Sequence, residues 1–366
     1  MMKIKVLKTH LVSAMKHMDK VMSSKPSIQI AANVMFNAQG EEVIVTATDL
    51  DITCVSHVPC EVVEEGSTTI PYRLLFAAVQ NLPEGVVEIE TNEREVSVVK
   101  AGYSVFNIHG LPASEFPKLP VVGETYTISL PQMTIREMFR KVVYARSTDD
   151  TRRVLKSVLM SFKNDSLRMV ATDGRRMSLI DYGVEVAKEN ERDIIIPSKA
   201  VDVLQKVLGS EGDVTIAVEN TQCSLTMGNV KVYTKMVDEV FPNYANVIPK
   251  GNDKAVVFDR QELMRGINCV SIFVDARNTA TVKFSIKDGA ATITSATADV
   301  GDAKDVIPVK YDGEPLEILF NPFYITDVLS AIDDDEVKFE FKDGHSPATI
   351  KCSVPFLGVV MPVRVN

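Results

Sequence analysis

Residues that usually announce chemistry are scarce in this chain. The five cysteines, Cys54, Cys60, Cys223, Cys269 and Cys352, are an odd number and widely scattered, with no CxxC pair. That pattern signals neither a disulfide framework nor a zinc site and suits reduced, mostly buried thiols. The five histidines, His10, His17, His57, His109 and His345, are equally dispersed, and no HExxH, GxSxG or GxxxxGK[ST] is present. Nothing therefore nominates a metal centre, a nucleophile or a phosphate-cradling loop. No apolar run approaches the roughly 20 residues that span a bilayer. The N-terminal MMKIKVLKTHLVSAMKHMDK lacks the continuous apolar core of a signal peptide. A soluble cytoplasmic protein is expected, with no metal, no cofactor and no membrane contact.

The acidic residues offer two openings for catalysis. Asp333, Asp334, Asp335 and Glu336 form a run that could hold a hard cation, but between a helix end and EVKFEF it reads as a solvated turn. Asp49 and Asp173 could act as paired carboxylates, yet each follows a strand, and in a turn Asp bonds backbone while Gly supplies positive φ.

What the chain does have is repetition. Its 366 residues, 45% apolar and 24% charged, are enough for about two or three ordered domains. Thr after Ala recurs at Thr48, Thr172 and Thr297, in steps of 124 and 125. A proline opening a predicted helix recurs at Pro71, Pro197 and Pro322; a basic residue after an amphipathic helix recurs at Lys25, Arg152 and Arg277. Those amphipathic helices place Leu11, Ala14, Met15 and Met18, then Ile135, Met138, Phe139 and Val142, then Leu263, Ile267 and Val270 on one face. Asp259 with Glu262, and Ser129 with Gln132, resemble capping boxes. A second helix set reads Leu75, Ala78, Val79, Leu82; Val201, Leu204, Leu208; and Ile325, Val328, Leu329, Ile332. Alternating runs such as EVIVTATD, DVTIAVE and EVKFEF are half-buried strands. Each third thus holds helix, strands, helix, strands, and the chain reads as six similar α+β units in two layers. Boundaries fall at LPVVGE and IPKGND, giving domains 1–122, 123–250 and 251–366.

The net charge of −9 argues against a polyanionic partner until its distribution is read. The six helical segments together carry +7 and everything else −16. A surface separated in sign can hold a polyanion on one side while the rest repels it.

At this point the sequence meets a known family. ATDGRRMSLID closely resembles a motif of the bacterial sliding clamps, the beta subunits of DNA polymerase III. ATDLDIT, IPYRLLFAAVQNLP, GLPASEFPKLP, VFPNYANVIPK and the terminal VVMPVRV resemble that family's segments in the same order, so the resemblance spans essentially the whole chain. It implies an α+β DNA clamp fold of three similar domains, each a duplicated helix-plus-antiparallel-strands unit, forming a ring as a head-to-tail dimer. It implies a non-enzymatic processivity factor that encircles double-stranded DNA without reading its sequence. DNA polymerase, clamp loader and other proteins with a clamp-binding motif would be its partners. Cationic helices lining such a hole would meet phosphates, which carry no sequence information, and that suits a protein that slides.

The resemblance also implies sites. A partner-peptide pocket would comprise Leu155, Thr172, Gly174, Arg175, Arg176, Met177, Pro242, Val247, Ser346, Val360, Met361, Pro362, Val363 and Arg364. Arg175 stands where the family usually has His, Met177 where Leu is usual, and Asn246 where some members have Arg, departures that bear on peptide preference. Resemblance and charge together point to Lys25, Arg73, Arg152, Arg153 and Arg277 for DNA. At the dimer interface Phe106 and Ile108 would face Ile272 and Phe273 of the other chain. Two other readings of the residues remain, a protein-binding repeat scaffold without DNA encirclement and a metal-dependent nucleic-acid enzyme.

Overall fold

Among the described residues six α-helices of ten or eleven residues alternate with strands: α1 (Lys8–Met18), α2 (Tyr72–Asn81), α3 (Gln132–Val142), α4 (Ser198–Val207), α5 (Arg260–Val270) and α6 (Pro322–Ala331). The structure is a computed structural model that describes residues 1–22, 26, 28–123, 126–274, 280–297 and 300–364. Every apolar position assigned to a helix face from periodicity is buried. At about 1.5–3 kcal/mol for each fully buried large aliphatic or aromatic side chain, that face is what docks each helix. No helix among the described residues is long and apolar enough to cross a membrane.

The helix starts differ from expectation in detail. Pro322 is the first helical residue of α6, with the Asn321 side chain accepting from Phe323 N–H, but Pro71 and Pro197 sit one residue earlier, at the caps of α2 and α4, with extended ψ. Proline's fixed φ serves either place, and in α2 and α4 the preceding segment runs extended up to the first helical turn. Asp259 caps α5 by accepting from Glu262 N–H. Ser129 is no cap: it lies within the strand Tyr126–Pro131, and α3 starts only at Gln132. The Gln132 side chain instead binds the Glu211 carbonyl at 2.9 Å and Gly209 N–H at 2.9 Å. Cys54 and Cys223 are buried, but Cys269 is exposed; burial pushes the Cys54 thiol up to about 12.

The chain packs as two compact units, Met1–Arg136 with Ile196–Met236, and Glu137–Ile195 with Val237–Asn366. The middle of the chain is divided because its strands hydrogen-bond in one unit to the N-terminal part and in the other to the C-terminal part. The first unit holds a five-stranded sheet in the order Glu61–Glu64, Met2–Leu7, Val86–Thr91, Val96–Ala101, Ser104–His109. Its eight-stranded sheet runs Tyr126–Pro131, Asp213–Glu219, Gln222–Met227, Val230–Lys235, Ile52–Pro59, Glu42–Thr48, Asn33–Gln39, Gly66–Pro71. Here α1 packs against α2 and α4.

The second unit holds one twelve-stranded sheet. It begins Arg192–Ile196, Val158–Lys163, Ser166–Thr172, Arg176–Gly183, Phe356–Val360, Ala348–Lys351. It continues Glu336–Phe341, Lys254–Asp259, Gly301–Lys310, Ala290–Thr297, Val282–Lys287, Leu316–Phe320, and α5 packs against α6. Thr48, Thr172 and Thr297 each end a strand, as the repeat requires.

Candidate functional site

Thr172 and Asp173 make the turn that starts the site. Thr172 Oγ1 donates to the Arg176 carbonyl at 2.7 Å and accepts from Gly174 N–H at 3.1 Å. Asp173 Oδ1 accepts from Arg175 N–H at 2.8 Å and Arg176 N–H at 2.9 Å. Gly174 has φ +88, the left-handed backbone such a turn needs. The first unit repeats the device: Thr48 Oγ1 donates to the Ile52 carbonyl and accepts from Leu50 N–H, while Asp49 Oδ1 accepts from Asp51 and Ile52 N–H. The second oxygen of each carboxylate meets a cation, Arg176 for Asp173 and Lys199 for Asp49. Both aspartates are thus spent on turns, as the turn reading expects.

From this turn the chain enters the strand Arg176–Gly183, which pairs antiparallel with Phe356–Val360, Arg176 opposite Val360 and Met177 opposite Val359. Met361 N–H donates to the Arg175 carbonyl at 2.9 Å, and Val363 N–H to the Leu319 carbonyl at 2.8 Å. The C-terminal segment is therefore strung from the Arg175 turn to the strand Leu316–Phe320, with Met361, Pro362 and Val363 half-buried along it. Ala348 pairs with Val360 on the other side. Two residues earlier Ser346 is fixed by Asp343, which accepts from Ser346 N–H at 2.7 Å, Ser346 Oγ at 3.0 Å and His345 N–H at 2.8 Å. Those donors, His345 N–H foremost, hold the Asp343 carboxyl below the usual carboxylate range.

Met177 is buried with Leu159, Val170, Leu179 and Val359, and Phe241, Tyr244 and Ile248 pack on that cluster half-buried. This leaves Pro242 and Val247 exposed beside it. All fourteen residues expected in the pocket lie in the second unit. Hydrogen bonds and pairing draw Thr172 to Met177 together with Val360 and Met361. Ser346 lies two residues before Ala348, which pairs with Val360, and Pro242 and Val247 adjoin in sequence Phe241 and Ile248, which pack on the cluster. Half-buried Leu155 and exposed Arg364 make no hydrogen bond to that set among the described residues.

Arg176 carries the electrostatics. With a side chain only 11% exposed, it binds Asp173 Oδ2 at 3.1 Å and the Asp327 carboxylate of α6. Its guanidinium lies 4.7 Å from the Tyr324 ring centre and 5.6 Å from that of Tyr144. Arg175 is exposed, and a hydrogen bond to Tyr324 holds it more firmly in its charged form. Sequence reasoning missed Tyr324, Asp327 and Tyr144; only the one-turn spacing of Tyr324 and Asp327 on α6 hinted at a shared partner. The resulting surface sets exposed and half-buried apolar side chains beside two arginines, Arg176 held between two carboxylates and two aromatic rings and Arg175 exposed.

The expected DNA residues are distributed. Lys25 and Arg277 lie outside the described residues. Arg73, Arg152 and Arg153 are exposed. Arg152 stands 3.5 Å from Asp149, while Arg73 and Arg153 form no ion pair with another described residue. The charge on α3 is less available than its sequence suggests. Arg140 binds Glu137 and Asp333, and Lys141, almost fully buried, reaches the Ala331 carbonyl and Asp333, each at 3.1 Å. Burial opposes ionisation of Asp333, but these hydrogen bonds outweigh it and hold the carboxyl below its ordinary range. Asp334 accepts from Ser353 N–H at 2.8 Å. The acidic run is therefore partly counter-ion to α3 rather than a freely solvated turn.

Of the expected interface residues, Ile272 is 77% exposed and Phe106 36%, whereas Ile108 is 6% exposed and belongs to its own core. Phe273 lies against Gly301, where a Cβ would come within 2.8 Å of its ring, so only glycine fits.

Models of the DNA polymerase III beta subunit match nearly the whole chain: the N-terminal domain over residues 2–120, the central domain over 129–243 and the C-terminal domain over 245–364. A beta sliding clamp of Chlamydia muridarum is 30% identical over 365 residues, covering 100% of both chains. One from Pseudomonas aeruginosa is 30% identical over 349 residues, 94% of this chain and 95% of that one. A Bartonella birtlesii sliding clamp, DNA polymerase III subunit beta, superposes with a TM-score of 0.94 at 30% identity, covering 100% of both chains. The DNA polymerase III beta subunit of Thermotoga maritima does so with 0.93 at 29% identity and the same coverage. Fold and comparison define a clamp of three similar domains, built from helices and antiparallel sheets. The chain belongs to the DNA polymerase III beta subunit family, the beta sliding clamps, and its function is that of a DNA polymerase processivity factor.

Proposed function

We propose that two copies of this chain close head to tail into a ring around duplex DNA, and that the groove at Arg175, Arg176 and Met361 tethers its clients. Polymerase, clamp loader and other proteins would dock there through a short, largely extended peptide. On this reading the chain is a cytoplasmic protein without catalysis of its own, divided into domains 1–122, 123–250 and 251–366, and it grips DNA through backbone phosphates.

The observation that carries the ring is a pair of open strand edges. Among the described residues Ser104–His109 pairs only with Val96–Ala101, and it exposes Val105 and Phe106. Gly301–Lys310 pairs with Ala290–Thr297 along 301–308, but on its other side only Val309 and Lys310 find partners among the described residues. Phe273 rests on Gly301 at the start of that edge, and Ile272 and Val306 are exposed. Open edges bearing apolar side chains invite another chain. Two different edges on one chain make a heterologous contact, which closes into a ring when the rotation fits. Sedimentation equilibrium tests this: a particle of twice the 40.3 kDa chain mass supports the ring, and a single-chain mass at micromolar concentration overturns it.

A further inference from the structure

The chain builds the groove twice. Phe116-Pro117 and Phe241-Pro242 are 125 residues apart, Thr48 and Thr172 are 124 apart, and Thr234 and Val360 are 126 apart. Backbone pairing follows that spacing. Ile52 pairs with Thr234 as Arg176 pairs with Val360, and Lys235 N–H donates to the Asp51 carbonyl at 3.1 Å as Met361 N–H does to Arg175 at 2.9 Å. In the first unit this junction is hollow, with a cavity of about 180 Å³ among Leu50, Thr53, Lys118, Gln222, Tyr233 and Lys235.

Its chemistry departs from that of the groove in the second unit. Leu50 stands in place of Gly174, Asp51 in place of Arg175, Thr53 in place of Met177 and Lys235 in place of Met361. Leu50 holds φ +81, against +88 for Gly174, and is 44% exposed. A branched side chain at such a φ is strained, whereas glycine is not. The turn alone would favour glycine, so a leucine here supplies an apolar lip to the cavity. On the floor the Thr48 and Thr53 hydroxyls bond each other at 2.8 Å. Asp51 is neutralised by Lys235 at 2.9 Å and Asp49 by Lys199. Lys118 is exposed and forms no ion pair with another described residue, so the mouth of the cavity carries a positive charge.

We propose that this cavity is a second docking site, for a short extended peptide that sets one apolar side chain against Leu50 and Tyr233 and one carboxylate on Lys118. The proposal rests on the reading of the second unit's groove as a peptide site, and the test separates the two. The full-length protein is titrated calorimetrically with an acetylated hexapeptide holding two leucines, one phenylalanine and one aspartate. Two peptides per chain are expected, the second at least tenfold weaker. Arg176→Ala with Met361→Asp should remove the tighter one only. Leu50→Gly, which copies the backbone of Gly174, with Lys118→Glu should remove the weaker one only, without lowering the melting temperature. One peptide per chain, lost with the first pair of substitutions and untouched by the second, overturns the second site and leaves the proposed function standing. One peptide lost only with the second pair supports the site and overturns the other groove. No binding overturns both.

Discussion

The guanidinium of Arg176 lies 4.7 Å from the centre of the Tyr324 ring, across a separation of 148 residues in the chain. Asp173 and Asp327 bind the same guanidinium, so one side chain ties the Thr172 turn to α6. Arg176→Ala should lower unfolding free energy by about 1.5–3 kcal/mol, the range for hydrogen bonds to charged groups, and weaken peptide binding at least tenfold. Arg176→Lys keeps the charge but not the planar fork, and should recover less than half of either effect. Urea denaturation and calorimetry read the two.

At the open edges the structure separates contact from core. Ile272→Ala with Phe273→Ala, and separately Phe106→Ala, should shift sedimentation from dimer toward monomer. Ile108→Ala should instead cost about 2–5 kcal/mol of stability as a buried truncation. An unchanged dimer in both surface variants counts against these edges.

Among the cations, Arg152→Ala with Arg153→Ala should reduce retention on DNA after loading and flatten its salt dependence, because fewer counterions are released. Lys141→Ala should leave that salt slope alone and lower stability, since its ammonium is used up on Ala331 and Asp333.

Acid should destabilise the fold in a defined direction. The carboxyls of Asp333 and Asp343 lie below their ordinary value of 3.8, and that of Glu340 below 4.5; burial opposes ionisation of Glu340, but Lys351 and Lys338 outweigh it. For groups lowered on folding, the stabilisation is complete above the unfolded value and is lost as pH falls through the folded one. Melting temperature should therefore fall progressively below about pH 4.5. Asp333→Asn should melt lower at pH 7 and lose less between pH 5 and pH 3.

The sequence made legible whatever local periodicity encodes. Leu11 to Met18 and Ile325 to Ile332 could be placed because a buried helix face repeats every 3.6 residues, and the Thr48 and Thr172 turns because Asp, Thr and Gly have strong local hydrogen-bonding habits. Boundaries slipped where strand meets helix without a loop, as at Ser129 and Pro71. Long-range electrostatics was out of reach: nothing near Arg140 or Lys141 announces Asp333, and nothing near Arg176 announces Tyr324. The pocket residues came from resemblance; the structure adds the hydrogen bonds and strand pairing that draw Thr172 to Met177 together with Val360 and Met361.

Retention on closed circular against linearised duplex DNA, after loading, tests the central claim most directly. A topologically closed collar should stay on the circle and be lost from the linear molecule within the time of sliding to an end, at equal salt. Equal retention on both would mean that the protein binds DNA as a patch, and would contradict encirclement.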